Sequence, residues 1–346
     1  MLIVGQDLGS IRGYSNSECC PTPAGVTTYV GLYDVLDREA HFGGLGVDET
    51  GTPTGVDADW GAGPINLFRL ASEFPNQVLS IGLYIAEAGH PGALEKLLAG
   101  GFDEEVEHLG RVLASLERPT LLRIGYEFDG HWNPGYENAT RYVAAFRRVA
   151  LGVRAAGATN VATVWQASAS PVDDLTERKR ESLERWYPGD DIVDWVGLSW
   201  FLEATRVYDS DYPVTQLELA EEVFDFARAR RKPVLIAEAS PQGFDVEARS
   251  RANIAPILDG ESGRNIQPVE SDEIWRLWYA PLFETLRRNG DVVRGFAYIN
   301  ANWDEQALWA SPFPNGYWGD SRLETNPTLQ RLWNREIRDP RWVTGD

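Results

Sequence analysis

The 346-residue sequence predicts an α/β fold in which strand–helix units close into a single (β/α)8 TIM barrel. Three observations carry this expectation. Eight short apolar runs, at 2–6, 27–32, 78–85, 120–127, 160–166, 193–200, 233–238 and 292–299, alternate with segments of helical period, the pattern of a parallel sheet made by repeated crossovers. The length suits one barrel, a fold that commonly exceeds ~200 residues as one unit. Long segments rich in Gly, Pro and polar residues, 33–63, 201–214 and 239–269, each follow a strand, where βα loops build a cleft.

Taken in order, strand one runs into "SIRGYSNSECCPTPAG", whose Gly and Pro content suits a helix poorly, so the first β/α unit is expected to be degenerate. Helices are expected at 64–74, 103–116, 139–156, 174–186, 215–230 and 271–290. The segment 139–156 follows Asn138 as a candidate N-cap, sets Tyr142, Phe146, Val149 and Val153 on one face, and stops at Gly157. Pro281 predicts a kink or break in the 271–290 helix. No repeat, low-complexity tract or linker divides the chain, so residues 1–346 are expected to form one domain.

A formal charge of -20 and a pI near 4.6 oppose polyanionic partners, nucleic acid and anionic membranes alike, and leave neutral or cationic substrates. Cys19 and Cys20 are adjacent, a spacing that rarely meets disulfide geometry, and read as ordinary thiols. No run approaches the ~18 apolar residues of a membrane span. The N-terminal "MLIVGQDLGS" lacks the basic flank and length of a signal peptide, so the sequence reads as cytoplasmic, or as secreted with its signal already removed. A monomer is expected.

The strand ends carry the chemistry. In "RIGYEFDGHWN", residues 123–133, strand alternation sends Arg123, Gly125 and Glu127 to one face, taken as the barrel interior, and Ile124 and Tyr126 to the other. A guanidinium two residues below Gly125 would hold Glu127 in place and favour its charged form. In "PVLIAEAS", residues 233–240, Val234, Ile236 and Glu238 are expected to share the interior face, with Glu238 closing strand seven as Glu127 closes strand four. Two carboxylates converging on a barrel mouth fit retaining glycoside hydrolysis, one as acid/base and one as nucleophile.

These residues resemble the clan of retaining (β/α)8 glycoside hydrolases, and within it glycoside hydrolase family 26, the β-mannanases and their relatives. In that family's motif an Arg lies four residues before the acid/base Glu and a Trp follows it. The resemblance implies Glu127 as acid/base, Glu238 as nucleophile, Arg123 as a supporting ion pair and Trp132 as a sugar platform. It also sets Trp200 of "VGLSWF" where relatives place a Tyr that bonds the nucleophile, and Tyr126 where they carry His or Asn. Its expected substrate is an oligo- or polysaccharide, a β-mannan, β-glucan, β-xylan or arabinan, with an endo-acting mannanase as the first guess.

Among the 13 tryptophans, Trp186, Trp275 and Trp278 stand at helical spacing and are expected in the core. Trp165 on strand five and Trp303 in "NANWDEQ" after strand eight join Trp132 and Trp200 as platform candidates. Gln6, Asp7, Tyr84, Asp129, His131 and Asn300 are candidates for hydroxyl contacts, with core satisfaction the alternative for Gln6 and Tyr84. The four histidines form no HxxxH or Cys/His cluster, so no metal site is expected. No phosphate loop or G-x-S-x-G elbow occurs, so neither a nucleotide cofactor nor serine catalysis is expected. The rival readings are a non-catalytic carbohydrate-binding barrel, which could dispense with one carboxylate, and a metal-dependent barrel enzyme acting on sugars.

Overall fold

The computed structural model describes all residues except 18–19, 172–181, 209, 212, 253–264 and 346. In chain order the strands are β1 (Leu2–Gly5), β2 (Gly25–Gly31), β3 (Val78–Tyr84), β4 (Thr120–Ile124), β5 (Val161–Ala167), β6 (Trp195–Trp200), β7 (Val234–Ala239), β8 (Phe244–Asp245), β9 (Ser250–Ala252), β10 (Ile266–Pro268), β11 (Val293–Ile299) and β12 (Gly319–Asp320). Eight of them close a barrel in the order β1-β11-β7-β6-β5-β4-β3-β2, every neighbouring pair parallel. All eight expected strands therefore form, and the chain is a (β/α)8 barrel.

Each barrel strand is buried on both sides, and side-chain alternation divides it. Outward residues such as Val26, Ile81, Leu122, Leu198, Ile236 and Phe296 pack with the helices in the main core. Inward residues fill the barrel: Ile3, Leu121, Val164, Leu235, Ala237 and Ala297 form a separate apolar floor. One step further along the strands, Thr27, Arg123 and Gln166 replace that floor with a hydrogen-bonded polar layer. Parity makes Val234 and Ile236 outward residues, not the interior row expected from the sequence. Glu238 turns inward because β7 carries an irregularity: Ile236 pairs with Leu198 and Phe296, but Glu238 pairs with Ser199 and Ala239 with Tyr298. One extra residue on β7 resets its faces at the strand end.

The helix Ala139–Ala155 begins at Asn138, whose side chain accepts from Arg141 N, and ends before Gly157 at φ 92°. Helices Leu67–Glu73, Asp103–Ser115 and Gln216–Arg230 also match expectation. The expected 174–186 helix is described only over Leu183–Trp186, since its residues 174–181 lie outside the described residues, as does Cys19. The first β/α unit is less degenerate than expected, since a helix forms over Leu8–Asn16. Asp7 makes this possible, accepting from Gly9 N and Ser10 N and so satisfying two otherwise orphan donors. At Pro281, which can offer no N–H to the preceding turn, the chain resolves the mismatch by widening Trp275–Tyr279 into a π turn between two α segments.

Among its described residues, the segment 239–269, expected as an irregular cleft wall, holds three short strands. They join β12 in a second sheet of order β10-β9-β8-β12, which ties the loop after β7 to the loop after β11. Within the described residues no helix is long and apolar enough to cross a membrane.

Candidate active site

The site is built from β4 upward. Inward-facing Leu121 belongs to the apolar floor, and two residues on Arg123 is fully buried beside Gly82 of β3. A Cβ at Gly82 would lie 2.5 Å from the Tyr29 ring and 2.8 Å from Arg123 Nη2, so only glycine leaves room for the guanidinium here. Strand geometry ends at Ile124. Gly125 takes φ +55° and Glu127 φ +54°, a left-handed conformation that is strained for a side-chain-bearing residue and typical of positions held for function. The turn also overturns the expected alternation. Tyr126 does not face the helices but packs at the barrel mouth, its ring tilted 5.3 Å from that of Tyr29 and 5.4 Å from the Arg123 guanidinium.

Glu238 descends into the polar layer from β7. Its Oε1 accepts from Arg123 Nη1 at 2.5 Å and from Gln166 Nε2 at 3.1 Å. The expected ion pair thus exists, but Arg123 holds Glu238 and not Glu127. Arg123 Nη1 also reaches Gln166 Oε1 at 3.0 Å, and Nη2 reaches Thr27 Oγ1 at 3.2 Å. Glu127 is held by different donors: Ser199 Oγ to Oε1 at 2.7 Å and Trp132 Nε1 to Oε2 at 2.8 Å. Gln166 Nε2 donates to Ser199 Oγ at 3.0 Å as well, so a short chain of side chains links the two carboxylates.

The two acids therefore sit in unlike environments. Glu127 is 8% exposed with no cation in contact among the described residues; burial chiefly, and then the negative charge of Glu238, push its carboxyl up to about 8 against the opposing donors Ser199 and Trp132. An acid poised near neutrality beside an arginine-paired carboxylate can donate a proton while its neighbour attacks. The same shift fixes a stability prediction. The folded pKa of Glu127 exceeds its unfolded value, so the stabilising contribution present below the ordinary carboxylate pKa is lost as pH rises toward 8. Glu127→Gln is expected to raise the melting temperature by several degrees at pH 9 and by much less at pH 4. A gain independent of pH in thermal scans would show that the carboxyl is not destabilised by its site.

The other expected residues divide. Trp132, half-buried, orients Glu127; exposed His131 packs edge-on against it at 5.2 Å. Asp129 accepts from Ser168 N and adds to the negative field on Glu127. Tyr84 is half-buried, with its ring 6.4 Å from Tyr126. Trp165 and Trp200 are corrections. Both are fully buried on the outer faces of β5 and β6, Trp165 stacked on Phe128 at 4.5 Å, so neither presents a face to a sugar. Trp303 is 2% exposed, wedged 4.7 Å from both Trp309 and Trp318, with its indole N–H given to Ser240 Oγ. Asn300 is spent on structure, bonding Glu324 and Leu323 N, and Asp7 caps its helix. Gln6 is buried just past β1.

Sequence reasoning missed Ser199, Gln166, Thr27 and Asn133, whose side-chain amide donates to Glu127 O at 3.0 Å. Strand parity could have found the first two, since each is a polar residue two positions past an inward-facing one on its strand. Among the described residues no cluster of His, Cys, Asp and Glu is arranged to hold a metal ion.

A parallel eight-stranded barrel, here with a glutamate at the ends of its fourth and seventh strands, resembles the (β/α)8 glycoside hydrolases in fold. Comparison with known proteins sharpens that class. No protein-family model matches the chain. Over 345 residues, 99% of its length, it is 35% identical to the Beta-1,3-xylanase TXYA of a Vibrio sp, covering 65% of that protein. It is 34% identical over the same length to a Beta-1,3-xylanase of an Alcaligenes sp, covering 64% of it. The chain thus spans just under two thirds of the length of these curated relatives. In fold it is similar to the GH26 beta-mannanase BoMan26A of Bacteroides ovatus, with a TM-score of 0.57 across 97% of this chain and 84% of that one. At 15% identity that likeness speaks for the fold alone.

Proposed function

We propose that this chain is the catalytic barrel of a retaining glycoside hydrolase acting within β-xylan chains, with β-1,3-linked xylan as its substrate. The observation that carries the reading is the convergence of Glu127 and Glu238 in one polar layer with opposite surroundings, one neutral-poised and one arginine-paired. The similarity of nearly the whole of this chain to about two thirds of two β-1,3-xylanases favours xylan over the mannan first expected.

In this reading Glu238 attacks the anomeric carbon as the bond to the leaving oxygen breaks, and Glu127 delivers its proton to that oxygen. Formation of the glycosyl ester removes the charge on Glu238, which lowers the proton affinity of Glu127 as it becomes the base. Glu127 then takes a proton from water, the water oxygen attacks the anomeric carbon, and Glu238 leaves. Two inversions return the original configuration. Ser199 and Trp132 fix the Glu127 carboxyl throughout, while Tyr126 and Tyr84 line the cleft.

The test is reducing-end release from β-1,3-xylan, β-1,4-xylan, β-1,4-mannan and β-glucans, with the first-formed anomer read by NMR. β-1,3-Xylan should be cleaved fastest and give the β-anomer; an α-anomer first would exclude double displacement. Because Glu127 must enter the reaction protonated, kcat/KM should fall as pH rises through about 8. In Glu127→Ala, assayed on an aryl glycoside whose leaving group needs no proton, this limb should vanish. Its persistence would assign the titration to another group.

A further inference from the structure

We infer that the rim of the barrel beyond β2 forms an additional subsite that binds a sugar ring of the glycan chain away from the bond being cleaved, with Trp60 as its platform and the Asp34–His90 pair as its polar edge. The inference rests on the glycanase reading above and extends it to a place none of the candidate residues occupies.

Trp60 stands at the tip of a fixed loop. Ala58 and Ile65 exchange backbone hydrogen bonds at 2.9 and 2.8 Å, and Asp59 Oδ1 accepts from Gly61 N. The loop lies across the mouth end of β1, where Leu8 N donates to Pro64 O, and it joins the loop after β11 through Leu308 N and Gly61 O at 2.9 Å. Its indole is thus presented by backbone anchors at the same end of the barrel as Glu127 and Glu238. At 40% exposure Trp60 is the one exposed tryptophan among the described residues, and Leu308 beside Gly61 is 38% exposed. Holding both in water is unfavourable, because apolar surface left uncovered keeps its cost of hydration.

Polar groups meet this ledge at one point. A Cβ at Gly31, the last residue of β2, would lie 3.5 Å from Trp60 Cζ2 and 3.3 Å from Asp34 Oδ2, so ring and carboxylate flank the same spot. His90, from the loop after β3, pairs with Asp34 at 3.1 Å, and both side chains remain partly open to solvent. An aromatic face beside a carboxylate suits a sugar, whose C–H face packs on the ring while its hydroxyls donate to the oxygens. It suits an anion poorly, given Asp34 and a net charge of -20. Aromatic rings stand on both sides: Tyr84 lies 6.4 Å from Tyr126, which adjoins Glu127 in sequence, and buried Tyr33 packs 5.4 Å from the His90 ring.

The experiment follows kcat/KM along a series of β-1,3-xylo-oligosaccharides from disaccharide to octasaccharide. In Trp60→Ala the ratio of the longest to the shortest hydrolysed oligosaccharide should fall roughly tenfold, the scale of one aromatic contact. Trp60→Phe should restore most of that ratio, and Asp34→Asn should lower it. An unchanged ratio, or an equal loss at every length, overturns the subsite, because a merely structural role would not depend on chain length. If the wild type hydrolyses none of the glycans, the hydrolase reading fails separately. Calorimetric titration of wild type and Trp60→Ala with the same oligosaccharides then decides the subsite, and equal affinities, or no binding to either protein, overturn it.

Discussion

Glu238→Ala is expected to lower kcat on β-1,3-xylan by on the order of 10⁵, the scale lost when a covalent nucleophile is removed. Glu127→Ala should cost roughly 10²–10⁴ on the polysaccharide, the range of general acid–base catalysis, and far less on an aryl glycoside with a good leaving group. Azide separates the two roles by stereochemistry. In Glu238→Ala it would enter the space the carboxylate vacated and displace the leaving group in one inversion, giving the α-glycosyl azide. In Glu127→Ala the glycosyl ester on Glu238 still forms, azide attacks it in place of water, and two inversions give the β-glycosyl azide. The same anomer from both variants, or full activity in Glu238→Ala, would sink the assignment. Because alanine leaves Arg123 buried without its carboxylate, Glu238→Gln, which keeps an oxygen for Arg123 Nη1, serves as the folded control.

The strands, the barrel and the position of the two glutamates at its mouth were legible because each rests on local pattern: apolar runs of strand length, and a charged residue where such a run stops. What failed was the extrapolation of alternation past the regular strand. Gly125 at φ +55° reverses Tyr126 into the mouth, and the extra residue on β7 turns Glu238 inward although Val234 and Ile236 face the helices. Both errors occur at strand ends, where backbone irregularity aims the side chains of Tyr126 and Glu238 into the barrel mouth. The Trp165 and Trp200 errors have the opposite origin. A tryptophan near a strand end looks like a platform in one dimension, but its parity, one residue off inward-facing Gln166 and Ser199, sends it into the helix layer. Ser199 and Gln166 escaped notice because a lone Ser or Gln in an apolar strand carries no motif. Their meaning lies in hydrogen bonds spanning 72 positions of sequence, from Ser199 to Glu127 and from Gln166 to Glu238.

Arg123→Leu should lower stability by about 3–5 kcal/mol, the cost of leaving one member of a buried ion pair behind. For a chain of this length that corresponds to a melting temperature lower by about 4–7 °C. The side chain is wholly buried, and its loss strips a donor from Glu238, Gln166 and Thr27 together, so the penalty exceeds that of one hydrogen bond. Activity should fall with stability, since Gln166 alone would remain to orient Glu238. Arg123→Lys should recover only part of either, because one ammonium cannot span the partners that the guanidinium fork reaches. The decisive comparison is the double variant Arg123→Leu/Glu238→Leu. If the single-variant loss comes from an uncompensated buried carboxylate, removing that carboxylate too should return most of the stability while catalysis stays absent. Additive losses in thermal or urea unfolding would mean that Arg123 matters to the barrel by filling the space beside Gly82 and Tyr29, and that its pairing with Glu238 serves the reaction and not the fold.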